Sequence, residues 1–263
     1  MERTPWAAMS DASRARSSDD PKDLEWGREL TGLTAAQIEK LLAFRGYVNP
    51  NGRFWFIGME EGGKSTIENL RIRAEKFDRL EDLERSHRNF NSHDMNKLTT
   101  STWGLMLSIV GRMGSEPNWW STDVRRSYQS TKLGRLNGET YLTEVLPLPK
   151  KGINDWPYGD FFDSPEDYFE RIFPDQLMSI RSDYGSANPK PQFVFCYGKS
   201  YWDRHRQVFE LIDFESTLDG SIQWGRNETT VFLLTNFFDY GRMGFNENFV
   251  DRLREFALSK SPK

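Results

Sequence analysis

Residues 58–65 read Gly-Met-Glu-Glu-Gly-Gly-Lys-Ser, and two kinds of chemistry fit them. They satisfy the phosphate-binding pattern G-x-x-x-x-G-K-[ST], in which backbone N–H groups and one Lys cradle a polyanion. They also set two adjacent carboxylates, Glu60 and Glu61, on a Gly-rich turn, where a carboxylate can orient and activate a water. Acids inside a phosphate cradle are costly: at ~4 Å and an effective dielectric near 20, each like-charge contact opposes binding by roughly 4 kcal/mol. A phosphoryl-transfer enzyme also needs an acid at a further strand end to hold Mg²⁺. Only Glu144 is available for that. A nucleotide-binding role for Gly58–Ser65 is retained as the alternative.

The elements that must position these residues can be read from periodicity. Phe54–Ile57 is a short apolar run suited to a strand buried on both faces. Similar runs occur at Tyr141–Leu146, Gln192–Cys196 and Thr229–Leu234. Between them lie helical patterns: Thr34–Phe44, opened by a Thr34/Gln37 capping box; Ser65 to about Asn91; Thr102–Met113; Ser164–Ser182; Lys199–Leu211; and Asn246–Leu258. Pro174 is expected to kink or split its helix. Strands alternating with helices predict an α/β fold, a three-layer α/β/α arrangement around a four-stranded, mainly parallel sheet. The carboxyl ends of such strands carry the chemistry. Four ends are therefore expected to converge: Gly58–Gly63, Glu144, Tyr197–Lys199 and Asn236–Arg242.

Residues 1–22 lack periodicity and read as a flexible arm, with 23–263 as one domain. Charged residues make up 28% and the formal net charge is −4, which excludes a globally basic coat but allows a local basic groove. Cys196 is the only cysteine, and there are 3 His. Disulfides, Cys-ligated clusters and His-rich metal sites are thereby excluded, and neither a metal nor a cofactor is expected. There is no membrane-length apolar run and no apolar leader core, which predicts a cytoplasmic protein, read as a monomer. In residues 114–138, Trp119-Trp120, Arg125-Arg126, Tyr128, Lys132 and Arg135 interleave aromatic and basic groups. That mixture suits unpaired DNA, and equally a surface loop with buried tryptophans.

Taken in order, the four strand ends resemble the uracil-DNA glycosylase-like superfamily. Gly58-Met59-Glu60-Glu61-Gly62 is similar in position and glycines to its first motif. Leu142–Pro149 looks like its second strand end with a Pro-rich turn. Val194–Lys199 runs through Gly198 into a helix, and Thr235-Asn236-Phe237-Phe238 stands where the superfamily has a His-Pro-Ser or Asn-Pro-Ser motif. The likeness covers roughly residues 50–258. The departures are Glu60 for Asp or Asn, Glu61 for Pro, and the missing His-Pro-Ser. The single cysteine rules out the iron–sulfur branches.

The resemblance implies a DNA glycosylase that flips a nucleotide out and hydrolyses its base–sugar bond. It implies Glu60 as the residue that holds the water, with Glu61 as the alternative. Asn236 would donate to the base carbonyl, and Arg242 would contact base or phosphate. Gly58, Met59, Glu144 and Gly62 would surround the base, and Lys199, Lys150 and Lys151 would meet the DNA backbone. Glu144 stands where the superfamily has an Asn. An ionised Glu only accepts hydrogen bonds, which would repel uracil O4 and suit the N4 amine of cytosine. The expected substrate is therefore a modified cytosine, with Gly62 and Gly63 leaving room for a bulky group. Members of the superfamily that act in antiviral defence on hypermodified cytosine are the branch this resembles. Uracil or mismatch repair and a non-catalytic DNA-binding module are the competing expectations. For the aromatic that stacks on the base, Trp103, Trp119 and Trp120 are open candidates. Glu144 could instead be a strand-end acid paired with Lys150 or Lys199.

Overall fold

The computed structural model describes residues 32–63, 65–90, 95, 97, 101–150, 156–217, 219–239 and 246–262. The expected arm at 1–22, together with Lys151 and Arg242, lies outside them. The architecture is α/β. In chain order the elements are α1 (Ala35–Leu42), β1 (Gly46–Tyr47), β2 (Phe54–Gly62), α2 (Ile67–Lys76), β3 (Leu80–Glu81), α3 (Leu83–Asn89), α4 (Ser101–Met113) and α5 (Thr122–Thr131). Then come β4 (Thr140–Lys150), α6 (Pro165–Ser186), β5 (Phe193–Tyr197), a 3₁₀ turn (Lys199–Tyr201), α7 (Trp202–Val208), β6 (Glu215–Ser216), β7 (Gln223–Arg226), β8 (Val231–Thr235) and α8 (Glu247–Lys260).

The sheet is mixed and eight-stranded, in the order β3-β1-β4-β2-β5-β8-β7-β6, rather than four-stranded. Its parallel centre, β4-β2-β5-β8, consists of the four apolar runs seen in the sequence. The added strands are antiparallel or very short: β1 pairs antiparallel with β4, and β8, β7 and β6 form an antiparallel edge. Segments of two to four residues carry no period for a sequence pattern to show.

Alternation along the central strands divides the core. Phe54, Phe56, Phe193 and Phe195 face α4 and α8, and Phe56 stacks on Phe195 at 5.3 Å. Trp55, Ile57, Val194 and Cys196 face the opposite side, where α1, α2, α6 and α7 bring Ile38, Leu70, Ile180 and Trp202. Helices thus cover both faces of the sheet.

Three helical expectations are corrected. The stretch from Ser65 to Asn91 is two helices around a short strand. The buried Glu81 carboxylate accepts the backbone N–H groups of Asp78 and Asp82 and the Arg85 guanidinium, which breaks the first helix. Asp82 then caps α3. Residues 114–138 are not all loop, since α5 lies within them. Pro174 does not split α6, which runs unbroken for 22 residues with Tyr168, Phe173 and Ile180 anchored in the core.

The two central strands also run further than their apolar cores. β2 extends to Gly62 and β4 through Pro147 and Pro149 to Lys150, with a register shift between Glu60 and Gly62. The segment expected as a Pro-rich turn is therefore strand. The shift re-aims the side chains of Glu60 and Glu61 at the sheet's carboxyl edge.

Candidate active site

At the carboxyl ends of β2, β4 and β5 lies a cleft of about 140 Å³. Aromatic and apolar side chains form its walls: Phe44, Tyr47, Trp103, Met106, Tyr197 and Phe237. Three acids reach it from two neighbouring strands, Glu60 and Glu61 from β2 and Glu144 from β4. In the β2–β4 ladder Gly58 lies directly opposite Glu144.

Glu144 is held at this position by what surrounds it. A Cβ at residue 58 would overlap Glu144 Oε2 and come within 2.5 Å of Tyr197 Oη, so only glycine leaves room for the acid. The Tyr197 hydroxyl donates to Glu144 Oε1 at 2.8 Å, while Oε2 is buried and makes no hydrogen bond. Burial pushes the Glu144 carboxyl up to about 8, against the pull of the Tyr197 bond and with Glu61 and Glu60 adding to the rise. At neutral pH this acid is protonated. It pairs with neither Lys150 nor Lys199.

The other two acids have cationic partners. Glu61 takes a bidentate pair from Arg73, at 2.7 and 2.9 Å, and the Tyr47 hydroxyl at 2.7 Å. Both its oxygens are thereby pinned to α2 and β1. Glu60 binds Lys150 through Oε2 at 3.0 Å. Among the described residues no partner engages its second oxygen. Lys150 is buried, so it neutralises Glu60 rather than offering itself to a phosphate. Glu60 also borders a second hollow, of about 400 Å³, beside Lys150, Glu166, Tyr201 and Arg204.

Some expected site residues fall elsewhere. Met59 points away from the cleft into the core on the other face and borders the second hollow. Gly62 does line the cleft. Asn236 does not, and its neighbour Phe237, 44% exposed, takes the cleft position. Lys199 is exposed, two residues beyond Tyr197, donating to the Gly220 carbonyl and lying over Trp202. Of the candidate stacking tryptophans only Trp103 lines the cleft. Trp119 and Trp120 pack with Arg112 and Arg125, respectively, over their rings. The interleaved basic–aromatic stretch is thus spent internally in part, with the Tyr128 hydroxyl bonded to Glu139.

Tyr47 and Arg73 are site residues the sequence did not single out. Tyr197 was expected among the converging strand ends, but without a role of its own. Arg73 looked like one more charge on a helical face, and nothing local marks it as buried.

The alternative phosphate cradle at Gly58–Ser65 includes Lys64, which lies outside the described residues. Residues 58–62 are extended strand, and their ladder with β4 uses backbone that a cradle would turn towards an anion. No known family model matches the chain, and no curated protein matches its sequence. The likeness to the glycosylase-like superfamily rests on the strand-end residues alone.

Proposed function

We propose that the chain is a DNA glycosylase on a three-layer α/β/α fold, which draws a modified pyrimidine into the cleft and hydrolyses its N-glycosidic bond to leave an abasic site. The observation that carries this reading is Glu144: a half-buried acid with one buried, unpartnered oxygen and a carboxyl pushed up to about 8, on an aromatic-walled cleft beside two charge-balanced carboxylates. Pairs of carboxyls whose surroundings set them apart are how one site runs acid and base roles together.

The chemistry divides among these groups. Trp103 and Phe237 enclose a flat ring. As the C1′–N1 bond breaks, its electrons pass to the base, and Glu144 supplies the proton that neutralises the leaving group. Positive charge grows on the sugar, as in other glycoside hydrolysis. Glu60, tethered by Lys150 through one oxygen, uses the other to take a proton from the attacking water, whose oxygen bonds to C1′. Glu61, saturated by Arg73 and Tyr47, supports the cleft wall and is the weaker candidate for that role.

Protonation changes the substrate argument. A neutral acid both donates and accepts, so Glu144 no longer repels a carbonyl outright. It matches the N3/N4 edge of cytosine, and the modified-cytosine reading is kept on that basis. Duplexes carrying uracil, 5-hydroxymethylcytosine or glucosylated 5-hydroxymethylcytosine, treated with the protein and then alkali, test the proposal. Strand breaks at a modified cytosine, lost in Glu144→Gln and Glu60→Gln, are expected. Breaks at uracil alone would make this a repair-type enzyme. Intact strands with DNA still bound would overturn catalysis in favour of a binding module.

A further inference from the structure

The second, larger hollow has no part in the proposed chemistry beyond sharing Glu60 with the cleft. It measures about 400 Å³, within the range of roughly 300–1,000 Å³ that holds small ligands. Its walls come from separate parts of the chain. β4 supplies Leu146 and Lys150, and the first turns of α6 supply Glu166, Phe169 and Glu170. Tyr168 ties these two elements together, its buried hydroxyl accepting the Leu148 N–H at 3.0 Å. Gly198, at φ +113°, turns the chain from β5 into the 3₁₀ turn and α7, which bring Tyr201 and Arg204. The Arg204 guanidinium lies 3.8 Å over the Phe169 ring, and that ring stacks on Phe173 at 4.5 Å. Among the described residues, the Arg204 guanidinium, the Tyr201 hydroxyl and the carboxylates of Glu166 and Glu170 make no hydrogen bond or ion pair.

The charges decide what fits. Lys150 and Glu60 neutralise each other at 3.0 Å. Arg204 is left facing two exposed acids, Glu166 and Glu170. A phosphate would meet both carboxylates, and a cation would meet the guanidinium. A neutral group with several donors and acceptors is favourable to all three. A guanidinium fork or a carboxylate engages two adjacent groups at once, and each hydroxyl of a ring both donates and accepts. Met59, Leu146 and the Phe169 and Tyr201 rings offer apolar surface to its C–H groups. We propose that this hollow is a site for a sugar ring, with Arg204 and Tyr201 donating to its hydroxyls and Glu166 and Glu170 accepting from them. The sugar is either a free saccharide or a substituent on a base held in the cleft, since Glu60 borders both spaces. Only the second source rests on the cleft being a base site.

The experiment uses the full chain with the methyl pyranosides of glucose, galactose and mannose, their binding read by saturation-transfer NMR. At least one is expected to bind. Arg204→Met and Glu170→Leu should each weaken it about tenfold or more, the loss of a charge-assisted hydrogen bond. Arg204→Met keeps an aliphatic stem on Phe169, and Glu170 is exposed, so thermal unfolding should be unchanged in both. Inorganic phosphate should not compete. Glucosylated 5-hydroxymethyl-2′-deoxycytidine identifies the source. A sugar carried by the base makes this nucleoside bind more tightly than methyl glucoside, with the gain lost in Trp103→Leu; a free saccharide shows neither effect. Binding of no glycoside, or binding unaltered in both variants, would overturn the proposal. Displacement of the glycoside by phosphate would overturn it in favour of an anion site. A protein that binds the glycoside but releases no base leaves the sugar site standing and removes the glycosylase. Base release by a protein that binds no glycoside does the reverse.

Discussion

Glu144 sets the site's behaviour with pH. Its carboxyl is held near 8 in the fold against 4.5 for the free side chain, so between those values the native state binds a proton that the unfolded chain has lost. Stability must therefore fall as pH rises through that window, by roughly 3 kcal/mol at pH 7 relative to an acid free to ionise. Glu144→Gln removes this slope. Thermal unfolding from pH 5 to pH 8 should show the variant gaining on wild type throughout, and parallel curves would refute the buried acid. In the proposed reaction the same proton is the one donated, so kcat/KM for base release should decline above about pH 8. Gly58 makes a complementary case. A Cβ would strike the tip of Glu144, which can swing aside, and the hydroxyl of the buried, stacked Tyr197, which cannot. Gly58→Ala should therefore cost about 1–3 kcal/mol in stability while lowering base release by about 100-fold or more, because the acid is displaced. Urea titration and the alkali assay measure the two effects separately.

Glu60 and Glu61 stay in place through the tie between β2 and its neighbours. Arg73 on α2 reaches back to Glu61 in a nearly buried ion pair and lies over Phe77 and Phe90. Removing the cation alone strands a carboxylate, so Arg73→Leu should destabilise by about 3–5 kcal/mol, whereas Glu61→Leu combined with Arg73→Leu should recover much of the loss. Urea unfolding of the three proteins is the check, and a double variant no better than Arg73→Leu would contradict it. The sequence showed less of this tie than of the strands it joins. The central runs, Phe54–Ile57 and Val231–Leu234, are apolar because they are covered on both faces, and that leaves a local signature. The Thr34 and Asn246 caps were visible for the same reason. The break at Glu81 was hidden, because Leu80 and Leu83 continue a helical spacing, and the bonds of the buried Glu81 carboxylate together with the pairing of β3 with β1 override it. Glu144 was legible as a strand-end acid, but not its protonation, which depends on burial by Tyr197 and by strands distant in sequence. The displacement of Asn236 by Phe237 follows from how the chain leaves β8 after Thr235, which no pattern reports.

Across the whole molecule, acids outnumber bases, 39 to 35, yet the proposed substrate is a polyanion. Many described cations are already committed: Arg45 to Asp183, Arg135 to Asp82, Lys150 to Glu60, Arg181 to Glu210. Non-specific attraction to DNA should therefore be weak, and the few exposed cations at the cleft edge should carry a large share of it. Lys199 is the one to test, because it is exposed, is held only by a long bond to the Gly220 carbonyl and its place over the Trp202 ring, and lies two residues beyond Tyr197 at the end of β5. Each phosphate neutralised contributes about 0.9 to the slope of log affinity against log salt on duplex DNA. Lys199→Ala should reduce that slope by about 1 for every DNA sequence alike, while leaving base release at saturating DNA unchanged. A slope unaltered by the substitution would move the DNA path away from this edge of the sheet. A fall in the saturated rate would give Lys199 a part in the chemistry that its place outside the cleft lining does not support.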